Sequence, residues 1–318
     1  EKVDAVSARK QYDEFRRDRK PCEKGELLVF EGVDGFDVYN PSIPFNIDGM
    51  TVIAGRVERR DTEKSKTMFF AEKGDKWVLI EEAPVFELQD PFITWIGGEL
   101  VVGGVNVQWG EDAFVSYHTD FYKGNSLFGL KHFLSGPPHM KDIRLIELKD
   151  GRIGVFSRPQ GQKMQEKHGC IAKIGFTLVN SLDELTMGVI ENAPHLEGHF
   201  LADEWGGCNQ LYELKNGLIG VIGHKSWGEY IDGVLHLHYY SMAFAIDPES
   251  RKMTQVKIIC SRDCFPEGPY KNIRLKDVTF TSGIIRLGGG KAMLYSGLSD
   301  CQAGRILIDD PFDEYEKL

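Results

Sequence analysis

Asp90 stands in the segment Leu88-Gln89-Asp90-Pro91-Phe92, ahead of an apolar run. Pro91 removes a backbone donor and stiffens the entry to that run. A carboxyl fixed there can give a proton to a departing oxygen. The plainer alternative is an Asx residue that bonds its own backbone to cap a turn. A second group is cationic. Arg56 follows Asn40 by 16 residues, Arg158 follows Asp142 by 16, and His224 and Lys225 follow Asn209 by 15 and 16. Such matched spacing puts these side chains at equivalent ends of equivalent strands. Two arginines and a His-Lys pair gathered in one place make an anion site, because the guanidinium fork fits phosphate or carboxylate. Against this stand two ordinary readings: Arg56 and Arg158 pair with nearby acids such as Glu58, and His224 is a satisfied buried histidine.

The elements that must position these groups come from a repeat. Five loosely similar units each start with Asn or Asp, run apolar, break at a Gly-containing turn and run apolar again. Their lead residues are Asn40, Asp90, Asp142, Asn209 and Asp277, so the steps are 50, 52, 67 and 68 residues. Repeats of roughly 40 to 50 residues with several strands each are the signature of β-propeller blades. The expected fold is therefore all-β, a five-bladed β-propeller over residues 26–318. A short helical segment within residues 1–25 precedes it, with Val6, Tyr12 and Phe15 as its docking face. A propeller brings the same position of every blade to one end of its axis, so the five lead residues converge on one funnel. Asp300, closing the segment YSGLSD, supplies another inward acid. Asn40, Arg56, Asp142, Asn209, Asp277 and Asp300 are thus candidates for binding a polyhydroxylated substrate. The steps into the fourth and fifth units leave room for loops at 159–169 and 192–207, and the triple glycine 288–290 reads as a β-turn.

Composition narrows the alternatives. The 318 residues carry a net charge of −10 with acids spread throughout, which argues against a nucleic-acid partner needing a clustered basic face. No apolar run approaches 18 residues, so no membrane span is expected, and no signal-like stretch follows Glu1. The six cysteines (Cys22, Cys170, Cys208, Cys260, Cys264 and Cys301) include no CxxC pair. Together with the lack of an Asn-x-Ser/Thr sequon, this leans to a reducing cytoplasm. Nine histidines show no HExxH; His236 and His238 share a strand face but lack a third ligand, so no metal is expected. Trp95, Trp109, Trp205 and Trp227 offer faces for sugar stacking, or belong to the core.

At these residues the chain resembles the five-bladed propellers of glycoside hydrolase family 130, largely β-mannoside phosphorylases. It looks closer still to the dual mannosyltransferase-phosphorylases of trypanosomatid parasites, glycosyltransferase family 108. The resemblance covers roughly residues 36 to 305. In the phosphorylases an acid-Asp-Pro-Arg segment holds the catalytic Asp. Here Asp90 and Pro91 match, while Gln89 and Phe92 replace the flanking acid and Arg. Arg158-Pro159 matches the family's Arg-Pro, and His224 its fourth-blade His. Tyr239 matches a Tyr ahead of Asp247-Pro248, and Tyr295, Gly297 and Asp300 match the late Tyr-x-Gly…Asp.

The resemblance implies an inverting phosphorylase. Asp90 would protonate the glycosidic oxygen. Arg158 and His224, with Lys225 and Tyr239, would hold phosphate for attack on a β-mannoside, giving α-mannose 1-phosphate. Inorganic phosphate is then a co-substrate, the partner is a mannose-containing oligosaccharide, and GDP-mannose is a further donor to consider. A phosphorylase needs only the acid, whereas an inverting hydrolase needs a second carboxyl as base. Asp142 or Asp300 would serve in a hydrolase of mannosides or arabinosides. A non-catalytic propeller scaffold is the rival from another class, without WD or kelch signatures to support it.

Overall fold

The structure, a computed structural model, describes residues 3–19, 24–111 and 113–318. It is all-β, with four hydrogen-bonded sheets and a few short helices. Alternating strands and Gly-containing turns produce consecutive antiparallel meanders. Phe45–Ile47, Met50–Glu58, Ser65–Lys73 and Lys76–Leu79 form the first. Gln89–Ile96, Glu99–Trp109, Phe114–Gly124 and Lys131–Ser135 form the second. The third comprises Arg144–Glu147, Ile153–Ser157, Ile174–Val179 and His195–Leu196.

The largest sheet contains two such meanders. One runs Trp205–Glu213, Ile219–Ile231, Val234–Ile246 and Lys257–Cys260. The other runs Asp277–Gly288, Lys291–Leu298 and Gln302–Asp309. They touch through a two-residue parallel contact, His238 and Tyr239 beside Asp277 and Val278. The chain ends meet here as well. Glu26–Leu27 pairs with Gln302–Asp309, and Val29–Glu31 pairs with Lys76–Leu79 of the first sheet. One short N-terminal stretch thereby ties the last sheet to the first.

Apolar side chains fill the spaces between neighbouring sheets. Phe92, Phe121, Ile143, Leu145 and Val155 pack between the second and third, and Phe156, Phe176, Val221, Met242 and Phe244 between the third and fourth. The helix Ala8–Asp18 begins at the N-cap Ser7, whose hydroxyl accepts from Lys10 N. It docks through Ala8, Gln11, Tyr12 and Phe15, with Tyr12 stacked on Tyr240 at 4.4 Å. Val6 contributes its carbonyl, which accepts from Lys225 Nζ.

Two loop expectations change. The segment 159–169 contains the helix Gln162–His168, ended by Gly169 in the left-handed conformation (φ 65°), a favoured stop because glycine has no Cβ to clash. The segment 192–207 includes the strand His195–Leu196. Gly288, Gly289 and Gly290 all have positive φ and turn the hairpin between Asp277–Gly288 and Lys291–Leu298, as read from the sequence. Cys22 lies outside the described residues, and the other five cysteines are free thiols. Among the described residues no helix is long and apolar enough to cross a membrane.

Candidate active site

The repeated Asn/Asp has a backbone cause. Asn40, Asp90 and Asp142 adopt φ of 44°, 51° and 54°, and Asp300 has φ 53°. Among residues with a Cβ, Asn and Asp tolerate this left-handed region best. Asp90 and Pro91 form a bulge between the pairs Gln89–Val105 and Phe92–Gly103, and Asn209 forms another between Cys208 and Gln210. A bulge re-aims a side chain away from the regular alternation. These four units turn their lead residues toward a shared centre. The fifth does so with a different residue. Its bulge falls at Ser282, between Thr281 and Gly283. A small central cavity takes its lining from all five units, among it Asn40, Pro91, Arg144, Asn209 and Ser282.

Around this centre the polar groups divide into two clusters. In the first, the Asp90 carboxylate accepts from Asn40 Nδ2 at 2.8 Å and from Arg56 Nη1 at 3.1 Å. Arg56 also pairs with Glu58 at 2.8 Å and Glu63 at 3.2 Å, and its guanidinium lies 4.8 Å from the Tyr39 ring centroid. Lys271 reaches Glu58 at 2.5 Å and Glu63 at 2.9 Å. Burial alone would raise the Glu58 pKa; Arg56, Lys271, Ser65 and Tyr39 outweigh it and hold the group below the usual range. Asp300 lacks such relief. Burial, with the charges of Asp90 and Glu63, pushes it up to about 6 despite the pull of Arg56 and Lys271. This cluster holds four carboxyls against two cations. It needs close contacts: a Cβ on Gly297 would fall 1.8 Å from Asn40 Oδ1.

The second cluster has the opposite balance. Asp142 lies 3.2 Å from Arg158 Nη1 and 3.6 Å from His224 Nε2. Arg144 donates to the carbonyls of Asn209 (2.8 Å) and Ile143 (3.1 Å) and stacks 4.7 Å from the Phe92 ring. Burial would raise the Asp142 pKa, but Arg158, His224, Arg144 and Lys141 together hold it low. One carboxylate here faces two buried arginines. His224 Nδ1 lies 2.8 Å from Asn209 Oδ1, and its ring is parallel to that of Tyr239 at 5.6 Å. Burial depresses the His224 pKa to about 4; Asp142 and Asp90 pull it up, while Arg158 and Arg144 push it down. Burial pushes Tyr239 up to about 12, and its hydroxyl accepts from Trp205 Nε1 at 3.0 Å. Arg158 Nε and Asn209 Nδ2 are buried donors that no group among the described residues satisfies. A buried donor left unpaired costs about 1–3 kcal/mol. The two clusters face each other: the charge of Asp90 acts on both Arg144 and His224.

The structure brings together Asn40, Arg56, Asp90, Asp142, Arg158, Asn209, His224, Tyr239 and Asp300. It does not bring Lys225 or Asp277. Lys225 follows His224 along a strand, so its side chain points to the opposite face. There it is fully buried and donates to Val6 O at 2.6 Å and Gln11 Oε1 at 2.9 Å, with Glu204 at 3.5 Å. Lys225 anchors the N-terminal helix. Asp277 accepts from His238 Nδ1 at 2.6 Å beside Glu229 and Trp227. It starts its strand five residues before the bulge, too early to reach the centre. Arg56 is central but tied to acids, as its plainer reading held.

Arg144, Lys271, Glu63 and Ser282 belong to the site and were not singled out for it from sequence. Arg144 stands two residues after Asp142, at the start of the strand that Asp142 leads into, and that proximity was a usable signal. Lys271 comes from an irregular segment and Ser282 from a bulge, and neither announces itself in the sequence. Among the described residues, no three His, Cys, Asp or Glu are grouped to hold a metal ion.

Comparisons with known proteins agree with this architecture. The fold is that of a β-1,2-mannobiose phosphorylase from Listeria innocua in complex with β-1,2-mannobiose. The two are 16% identical, with a TM-score of 0.60 over 94% of this chain and 95% of the other. The chain belongs to the family described as "Protein of unknown function (DUF1861)", whose model matches residues 14–314. Two solved structures are much nearer. A mannose phosphorylase from Leishmania mexicana in complex with phosphate ion is 39% identical, with a TM-score of 0.89 over 96% and 94% of the two chains. A GDP-Man-dependent mannosyltransferase from the same organism is also 39% identical, with a TM-score of 0.88 over 96% and 95%. The likeness to mannosyltransferase-phosphorylases drawn from the residues therefore holds. Among curated protein sequences none matches.

Proposed function

We propose that this protein is an inverting β-mannoside phosphorylase and mannosyltransferase that forms and uses α-mannose 1-phosphate. The observation that carries the reading is the division of charge. A carboxyl-rich cluster around Asp90 faces a cation-rich cluster around Arg158, where two buried donors lack partners. Inversion by phosphorolysis needs such a layout, with an acid on the side of the leaving oxygen and an anion site on the opposite side of the anomeric carbon. Phosphate is already an anion at neutral pH and requires no base; it requires cations that offset its repulsion from nearby acids.

Asp90 gives its proton to the glycosidic oxygen as the C1–O bond breaks. A phosphate oxygen held by Arg158, Asn209 and His224 forms the new bond to C1. Asp90 ends as the carboxylate, the shortened mannoside leaves with the proton, and α-mannose 1-phosphate is the other product. Run backward, the same steps lengthen a β-1,2-linked mannan. Asn40 and Arg56 hold Asp90, and Asp300 faces the sugar. A nucleotide sugar such as GDP-mannose presents its phosphoryl group to the same cations. In this reading the large sheet counts as two blades, which makes residues 26–318 a five-bladed propeller preceded by a helical segment. The place of action is the cytoplasm.

A hydrolase is the second reading, favoured by one observation: Asp300, raised to about 6, stands within Coulombic reach of Asp90 and could activate water as base. Phosphorus NMR of the protein with β-1,2-mannobiose and inorganic phosphate separates the two. α-Mannose 1-phosphate is expected. Free mannose without sugar phosphate would overturn the phosphorylase assignment in favour of the hydrolase.

A further inference from the structure

The strand Glu99–Trp109 is longer than the inner strand it pairs with. Gln89 is opposite Val105, so the strand continues four residues beyond the level of the site before it ends at Trp109. Four residues of extended chain span about 13 Å. Trp109 is 39% exposed, and Phe114, its cross-strand partner, is 57% exposed. The indole thus stands at the end of an overlong strand with more than a third of its surface open.

Its neighbours connect it to one side of the site. Lys64 Nζ lies 6.0 Å from the centroid of the Trp109 ring. The preceding residue, Glu63, pairs with Arg56 at 3.2 Å and Lys271 at 2.9 Å, and its carbonyl accepts from Gln89 Nε2 at 2.7 Å. Trp109 therefore borders the Asp90 cluster, not the Arg158 cluster. Inversion puts phosphate and the glycosidic oxygen on opposite sides of the anomeric carbon. With phosphate at Arg158, whatever is attached through the glycosidic oxygen extends past Asp90, and next past Glu63 and Lys64.

We propose that Trp109, with Lys64 beside it, is a binding platform for a distal sugar of the acceptor oligosaccharide. The platform makes the enzyme favour acceptors longer than a disaccharide. The inference rests on the phosphorylase reading for the direction in which the acceptor leaves the site. The chemistry is the apolar C–H face of a pyranose laid on the indole, with a hydroxyl within reach of the Lys64 ammonium. A mannobiose is too short to span from Asp90 to the end of the strand, so it gains nothing from the platform.

The test is mannosyl transfer from α-mannose 1-phosphate to β-1,2-mannobiose and to β-1,2-mannotetraose, in the unaltered enzyme, Trp109→Ala and Trp109→Phe. The unaltered enzyme should show a higher kcat/KM for the tetraose. Trp109→Ala should remove that preference, lowering kcat/KM for the tetraose about tenfold, as loss of an aromatic contact of about 1.4 kcal/mol requires. It should leave the biose value unchanged, and Trp109→Phe should keep most of the preference. No tetraose preference in the unaltered enzyme, or equal loss for both acceptors in Trp109→Ala, would overturn the platform. A calorimetric titration with mannotetraose keeps the two readings apart. Tetraose binding that weakens in Trp109→Ala, in a protein that transfers no mannose, supports the platform and refutes the activity. Transfer without any effect of Trp109 refutes the platform alone.

Discussion

The imidazole of His224 has its Nδ1 2.8 Å from Asn209 Oδ1, so in the neutral ring the proton sits on Nδ1 and Nε2 is left facing Asp142. Burial and the two neighbouring arginines keep the ring neutral down to about pH 4. A bound phosphate dianion would reverse that field. Nitrogen-15 NMR of the histidine ring should show a neutral His224 across pH 5–8 in the free protein. Its titration midpoint should rise by at least one unit when phosphate is added. A midpoint indifferent to phosphate would place the anion elsewhere.

Replacing Asp90 by Asn keeps the size and the bond to Asn40 but removes the proton donor. Turnover should fall by about 10²–10⁴-fold, the usual contribution of a positioned acid. Phosphate affinity measured by calorimetry should change little. Loss of both together would mean that Asp90 holds the site's structure rather than its chemistry.

Arg158→Ala should act in the opposite way. It removes a buried cation and the principal partner of Asp142, so the KM for phosphate should rise far more than the KM for mannoside. Equal increases for both would count against the anion site.

Lys225 gives the contrasting case. It is fully buried but serves Val6, Gln11 and Glu204 at the N-terminal helix. Removing one partner of a buried ion pair costs about 3–5 kcal/mol. Lys225→Met should lower thermal stability accordingly and expose the N-terminal segment to protease. The surviving folded enzyme should keep its phosphate KM.

Asp300 provides a pH test of stability. Its folded-state pKa of about 6 lies above the ordinary Asp value, so the folded protein binds more protons than the unfolded one between about pH 4 and 6. Stability from this group falls as pH rises through that window, and the deficit persists above it. Asp300→Asn should therefore raise stability at pH 7.5 by about 3 kcal/mol and change it little at pH 4, measured by thermal unfolding.

Much of this layout was legible in the sequence because it rests on backbone demands. Asn40, Asp90, Asp142 and Asn209 recur since a bulged or left-handed position at the start of each inner strand accepts Asn and Asp more readily than other residues. The spacings to Arg158 and His224 held because they are cross-strand registers, fixed by hairpin length. Asp277 misled for the same reason that the others informed: the fifth unit carries its bulge five residues later, at Ser282, and a loose repeat does not record such a shift. Lys225 misled because adjacency in a strand means opposite faces. The acids that neutralise Arg56 show that a cation's spacing reveals its position but not its partners.

The short pairing of Glu26–Leu27 with Gln302–Asp309 has a consequence for the order in which the molecule is made. Glu26 meets Arg305, almost the full chain length away, and the central cavity draws on residues from every unit. During synthesis the first sheet can form early, but the last sheet cannot be latched to it until Gln302–Asp309 has left the ribosome. Contacts so distant in sequence also make for slow closure. Until then the nascent chain has an open seam with unpaired strand edges, and the opposed acid and cation clusters are not yet fixed facing each other. Activity should thus arise in one late step, rather than growing in proportion to the length of chain already folded.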